Sequence, residues 1–500
     1  MLRTVLKKGE AMKFLSLFFI CFSLTGLGQT TLNNDSIGLG AHSGGPSGPL
    51  HAPSSNTTTN TKLIYWIHGL AGNAQSWNRV QTSTEDQTGN PVNGYPTRKT
   101  EGLCVDYSGH ENLRIFALGG YVNNNLIETW RVAVPRRDTL PVHSNFVIAH
   151  SQGGIVARAM RYQNLYNHGL YPVQFGALAS FNSPHGGAEI IVQTHPSSGE
   201  VQRWINRGCE AFTAAEVQQL VESKWWVDFL ISPGVVRNFS SKVCDGLDGL
   251  ILPILVDAIR KPVATDYAVG APNLEILNQA AVIDTIKKVA IAGIEEDPVL
   301  WRMLHSMTFT KDTSLSGHIL FNDPFGLDND DELPRTITNL VSLYRFKERF
   351  WNTRSKGIYR YIYWNAREKE TIYREARQWL EGSNIWWKRF IGAREDSAYV
   401  DGYWCICLDS PQPFHVNTIN DCRGNSILPC NAIPNYKWHT TEVPSDGVVT
   451  LSSQHDYPGA TRLTMQNTNH MQARNSKETM RILNNLFDGK HGHKFKLKRK

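Results

Sequence analysis

Short apolar runs alternate with helically spaced stretches through the first third of the chain. Leu63 to Ile67 reads LIYWI, rich in aromatic and β-branched side chains and flanked by polar and glycine segments, as in a parallel strand buried on both faces. Leu103 to Tyr107 is a second such strand, and Leu113, Leu118, Val122, Leu126 and Trp130 then follow at helical spacing. Asn145 to Ala149 (NFVIA) is a strand that runs straight into a helix over Gly153 to Tyr166, and Phe175 to Phe181 (FGALASF) is the next strand. Strand, helix, strand alternation implies a parallel sheet with right-handed crossovers.

After Ala188 the alternation breaks. Residues 189–285 read as a helical, lid-like insertion that includes Glu216 to Leu230 and the apolar Leu247 to Ile259, a segment equally suited to a lid or to a buried packing helix. Lys288 to Gly293 (KVAIAG), within 286–300, returns to the sheet. A second insertion over 301–439 is helical and aromatic through 336–395, with Trp364, Trp379, Trp386 and Trp387, and then cysteine-containing. Thr461 to Met465 is the expected last strand and Lys477 to Phe487 the last helix. The expected fold class is therefore α/β, a mostly parallel sheet flanked by helices, with its core in 62–188 and 440–487.

Met12-Lys13 followed by the apolar Phe14 to Leu24 and then Thr25 to Gln29 reads as a signal peptide over 1–28, too short for a comfortable membrane span. Cys21 lacks the preceding small residue of a lipid-attachment site, so a soluble exported protein is expected, periplasmic or extracellular. Residues 29–61 read as a flexible leader. The net charge of +6 is too nearly balanced to suggest a nucleic-acid partner, and much of the excess lies in the basic 488–500, read as a solvated tail. In an oxidising compartment the cysteine grouping predicts Cys209 with Cys244 and Cys405, Cys407, Cys422 and Cys430 among themselves, leaving Cys104 unpaired in its apolar strand. Zinc on the last four is the rival, without the two CxxC knuckles a zinc site favours.

The sharpest chemical signal is Ala149-His150-Ser151-Gln152-Gly153-Gly154 between the NFVIA strand and its helix. A nucleophile elbow needs this setting, because the serine sits in a strained turn and only small residues two before and two after it avoid clashing. Gly153 meets that need, and Ala149 stands where glycine is usual. Two backbone N–H groups must then face the oxyanion, one following the serine and one from the loop after an earlier strand, which points to Gln152 and Leu70. His68, Gly69 and His150 are read as motif support, and His185 in Ser183-Pro184-His185-Gly186-Gly187 as loop support or pocket lining. The order serine, acid, histidine places the base near the C-terminus, where His470 in Asn469-His470-Met471 stands out over His415, His439, His455, His491 and His493. Asp446 in Pro444-Ser445-Asp446-Gly447-Val448-Val449 is the favoured acid, with Glu295-Glu296-Asp297 at the end of the KVAIAG strand as its rival.

Taken together, HGL after a strand, AHSQGG, SPHGG, Ala264-Thr265-Asp266 ahead of Leu277-Asn278, SDGVV and NHM resemble the secreted bacterial lipases and the related inositol-deacylase-like lipases over 62 to about 300 and 440–487. The resemblance implies an α/β-hydrolase fold, Ser151, Asp446 and His470 as a triad, Leu70 and Gln152 as oxyanion donors, and acyl transfer without a cofactor. The expected partner is an ester or lipid substrate, with transient contact to a lipid surface. An acyltransferase or polyester hydrolase, and an inactive binding protein on the same scaffold, are the alternatives. Some relatives hold a structural calcium, but Asp328-Asn329-Asp330-Asp331-Glu332 lacks the glycine and spacing of such a site and reads as a solvated loop, so no metal is expected.

Overall fold

The computed structural model describes residues 62–497 apart from 71, 73, 78–79, 81–100, 134–141, 168–169, 224–231, 249–260, 309–332, 409–411, 425–428 and 475. The signal-peptide and leader segments, the acidic 328–332 run and most of the apolar 247–259 segment lie outside the described residues.

Among the described residues six strands form one parallel sheet: β1 (Leu63–Ile67), β2 (Glu101–Val105), β3 (Phe146–His150), β4 (Ala177–Phe181), β5 (Lys287–Ile294) and β9 (Thr461–Gln466), in the order β2-β1-β3-β4-β5-β9. Alternate residues of each strand serve opposite faces. Leu63, Tyr65 and Ile67 pack with Val147, Leu178 and the helices α1 (Ile115–Ala133) and α2 (Gln152–Tyr166). Ile64 and Trp66 pack on the other side with Phe146, Ile148, Phe181 and the helix α8 (Lys477–Phe487). Burial on both faces is why these strands read as unbroken apolar runs.

The two insertions do not stay apart. Helices α3 (Glu189–Glu222) and α4 (Pro233–Asp248) from the first pack with α6 (Leu333–Arg354) and α7 (Ala366–Phe390) from the second. Phe212, Ala215, Val221 and Val236 share one buried core with Tyr344, Trp351, Ile372, Tyr373 and Leu380. Between them α5 (Pro272–Ile283) leads back into β5. Helix α3 begins well before the expected Glu216, running through Pro196 and Gly199, residues that lower local helix propensity and hid its start.

Residues 394–442 differ from the expected pattern. They form an antiparallel sheet ordered β7-β6-β8, from β6 (Arg394–Cys407), β7 (Phe414–Val416) and β8 (Cys430–Glu442). Cys405–Cys422 and Cys407–Cys430 are disulfides, so all four cysteines are used in pairs and the zinc alternative falls. Such bonds fit an oxidising compartment. The Cys104 thiol is buried in β2 and belongs to neither pair; the side chains of Cys209 and Cys244 lie outside the described residues.

The basic segment is not a free tail as far as residue 497. Phe495 and Leu497 are buried, the Phe495 ring lies 5.4 Å from Phe146, and Lys62 Nζ donates to the carbonyls of His493 and Lys494. Two apolar residues set among lysines are enough to dock the strip against the sheet face that carries Ile64, Trp66 and Phe146. Among the described residues no helix is long and apolar enough to cross a membrane.

Candidate active site

Ser151 stands between β3 and α2 with φ +52° and ψ −127°, a left-handed, sparsely populated conformation for a residue with a side chain. Its backbone N–H donates to Phe181 of the neighbouring strand, which fixes the turn. The crowding explains the glycines. A Cβ on Gly153 would lie 2.4 Å from the His68 carbonyl oxygen, and one on Gly154 would meet the Ser183 side chain. A Cβ on Gly69 would lie 2.9 Å from both Ser151 Cβ and His150 Nδ1, so only glycine lets the loop after β1 pass against the serine. A parallel sheet in this order with a strained serine between its third strand and the next helix is the arrangement of one fold. The chain has the α/β-hydrolase fold.

Solved structures similar to it include the lipase BlEst2 of Bacillus licheniformis in its propeptide form, 13% identical over 52% of this chain and 42% of that one, with a TM-score of 0.26. Phospholipase PlaB from Legionella pneumophila in complex with thio-NAD is 13% identical over 47% of this chain and 39% of that one, TM-score 0.25. An extracellular α/β-hydrolase from a Paenibacillus species is 14% identical over 29% of this chain and 51% of that one, TM-score 0.19. The matched region spans about two-fifths of the length of the first two. No family model matches the chain, and no curated protein matches it.

The hydrolase fold brings three distant residues into one hydrogen-bonded line. Ser151 Oγ lies 2.9 Å from His470 Nε2, and His470 Nδ1 lies 2.7 Å from Asp446 Oδ2. His470 sits in the loop between β9 and α8, and its backbone N–H donates to the Asp446 carbonyl, tying the two loops together. Asp446 is fully buried and surrounded by donors. Its Oδ1 accepts from the N–H groups of Val448 and Val449 at 2.9 and 2.7 Å, and its Oδ2 accepts from Asn182 Nδ2 at 2.7 Å as well as from the ring. The carboxylate is thus fixed at both oxygens before it meets the histidine.

The rival acids face elsewhere. Glu295 accepts from Asn469 Nδ2 at 2.9 Å and lies 3.8 Å from the Arg302 guanidinium, so it braces the residue beside His470 rather than the ring. Asp297 pairs with Lys388 and Asn384 on α7. His455 engages the Leu463 carbonyl at 3.0 Å and His415 the Asp401 carbonyl at 2.7 Å, neither in the line to Ser151.

The supporting histidines each have a defined place. His68 is buried, stacks on Tyr107 at 4.0 Å, donates from Nδ1 to the Gly69 carbonyl and accepts at Nε2 from the Tyr107 N–H, which holds the loop carrying Leu70. His150 donates from Nε2 to the His470 carbonyl at 2.8 Å. His185 lies between Ser180 Oγ at 2.7 Å and the Arg158 guanidinium at 3.2 Å, stacked on Tyr457. It supports the loop after β4 and makes no bond to Ser151, Asp446 or His470. Gln152 opens α2, where helix geometry leaves its N–H without an acceptor, and Leu70 follows the glycine that touches Ser151.

Two contributors escaped sequence reasoning. Asn182, at φ +51° just past β4, had no motif to mark it, and its hydrogen bond to Asp446 spans 264 positions. Trp387, near the end of α7, donates Nε1 to the Gly447 carbonyl at 2.8 Å and so connects the second insertion to the turn that carries Asp446.

Burial holds the His150 imidazole well below the ordinary histidine range, helped by the charges of His470 and Arg474, and burial beside Arg158 does the same to His185. The unfolded chain protonates these rings near 6.5, whereas the fold keeps them neutral to lower pH. Stability from this source is therefore complete above that value and is lost as pH falls below it. Each ring contributes a slope of up to about 1.4 kcal/mol per pH unit. Urea midpoints taken from about pH 7 down to about pH 5 should fall, and His185→Gln should flatten the fall; a wild-type profile as flat as the variant's would contradict the neutral assignment.

Proposed function

We propose that the chain is an exported serine hydrolase that cleaves carboxylic esters, lipid esters among them, through an acyl-enzyme on Ser151. One observation carries the reading: an unbroken hydrogen-bond line from Asp446 through His470 to Ser151, ending on a serine in a strained elbow. His470 Nε2 takes the hydroxyl proton as Ser151 Oγ bonds to the substrate's carbonyl carbon, and the resulting oxyanion accepts from the N–H groups of Leu70 and Gln152. The imidazolium then gives its proton to the departing alkoxide, releasing an alcohol. Water, deprotonated by the same ring, attacks the acyl-enzyme, and the acid leaves as Ser151 regains its proton. Asp446 orients the ring and stabilises its charged form, while a neutral His150 adds no opposing charge 4.9 Å away.

The disulfides of the antiparallel sheet support export. A panel of chromogenic esters of increasing acyl length, run with and without an alcohol acceptor, tests the reading. Free acid as the main product supports hydrolysis. Acyl transfer to the alcohol in preference to water would move the chain to the acyltransferases, and no turnover of any ester would refute an ester substrate.

A further inference from the structure

The turn that joins α6 to α7 exposes an unusual number of apolar and aromatic side chains. Ile358 and Tyr361 are each 73% exposed, Trp364 72% and Ile362 65%, with Tyr359 and Tyr363 also open to water. The platform beneath them is well packed. Trp351 is buried, Tyr363 lies against it at 6.0 Å, and the Arg354 guanidinium lies 3.4 Å from the Phe350 ring. The exposed tips are therefore presented by a built surface, and among the described residues nothing covers them.

Charge selects the occupant. Between Arg354 and Ala366 the turn carries Lys356 and Arg360 and no aspartate or glutamate, with Arg354 at its start and the pair Arg367 and Glu368 just past its end. Tyrosine and tryptophan favour the headgroup level of a bilayer, where an apolar body and a polar tip are both satisfied, and isoleucine side chains favour the acyl boundary below. Cations in the same patch are attracted to anionic lipid. A second copy docking face to face would oppose cation to cation, which disfavours self-association.

The turn is also remote from the triad. Helix α7 runs from the turn to Trp387 at the acid loop, and 1.5 Å per residue over that span gives a separation of roughly 30 Å. We propose that the α6–α7 turn is an anchor that docks the protein on an anionic phospholipid surface. The proposal does not rest on ester hydrolysis, and its test needs no turnover.

The full-length protein would be sedimented with vesicles of ether-linked lipids, which have no carboxylic ester to cleave, with either choline headgroups alone or added glycerol headgroups. Wild type should partition onto the anionic vesicles at least about tenfold better than onto the zwitterionic ones, and the preference should shrink at high salt. The exposed triple variant Ile358→Ser, Ile362→Ser, Trp364→Ser should lose about tenfold or more of that partitioning with its melting temperature and soluble-ester turnover unchanged. Lys356→Gln with Arg360→Gln should weaken the anionic preference alone. Equal sedimentation of wild type and triple variant would overturn the proposal, as would failure of wild type to bind anionic vesicles. A wild-type dimer in gel filtration that the triple variant converts to monomer, without vesicle binding, would assign the patch to a second copy instead.

Discussion

Ser151→Ala is expected to abolish ester hydrolysis, lowering turnover by roughly six orders of magnitude, while leaving the unfolding transition in place. The substitution removes one oxygen, whose hydrogen bond in the folded protein is to His470. The elbow is fixed by backbone contacts, the Ser151 N–H to Phe181 and the close passage of Gly69 and Gly153, none of which alanine disturbs. Turnover measured alongside a melting curve checks both halves. Wild-type turnover in the variant would remove Ser151 from the mechanism.

The second large effect concerns the acid. Asp446→Asn keeps the side chain's size but turns one of its acceptors into a donor facing His470 Nδ1, which favours the wrong ring tautomer. Single-turnover acylation should fall by up to about 10⁴-fold with little change in substrate affinity. A flip that restored the acceptor toward the ring would turn the amide NH2 against the Val448 and Val449 N–H groups, which both donate to the other oxygen, so the flip is opposed by two donors. Glu295→Gln and Asp297→Asn should have small effects, since Glu295 holds Asn469 and Asp297 pairs with α7. A large loss in either of these two, with Asp446→Asn near wild type, would move the acid to the end of β5.

Much of this was legible in the sequence because parallel strands buried on both faces must be apolar at every position. LIYWI, NFVIA and KVAIAG each mark a strand to within a residue or two of its observed bounds. Ser151 was legible because the elbow's steric demand is local, written in the residues beside it. His470 and Asp446 could be ranked only by chain order and loop setting; what brings them to Ser151 is the crossing of β9 into the sheet beside β5.

Features that depend on long-range packing were not legible. The β6–β8 sheet exposes Tyr399, Trp404 and Trp438, so its alternation carries no clear buried face and its cysteines dominate the reading. Phe495 and Leu497 sit among lysines, and only their packing with Phe146 and Phe487 in one buried cluster gives them a reason to dock. The union of two insertions in one core, Phe212 with Tyr344 and Val221 with Trp351 in the same cluster, leaves no local trace in either segment.

If Ser151 is an activated nucleophile, it should be open to covalent labelling. A p-nitrophenyl alkylphosphonate transfers its phosphonyl group to a serine oxygen whose proton a neighbouring base takes, releasing p-nitrophenolate, and the adduct mimics the tetrahedral species. Incubation of the full-length protein followed by intact-mass analysis and peptide mapping should give one adduct per chain, on the peptide containing Ser151, with ester turnover lost in proportion to labelling. An unlabelled Ser151, or full turnover after complete labelling of it, would contradict the account.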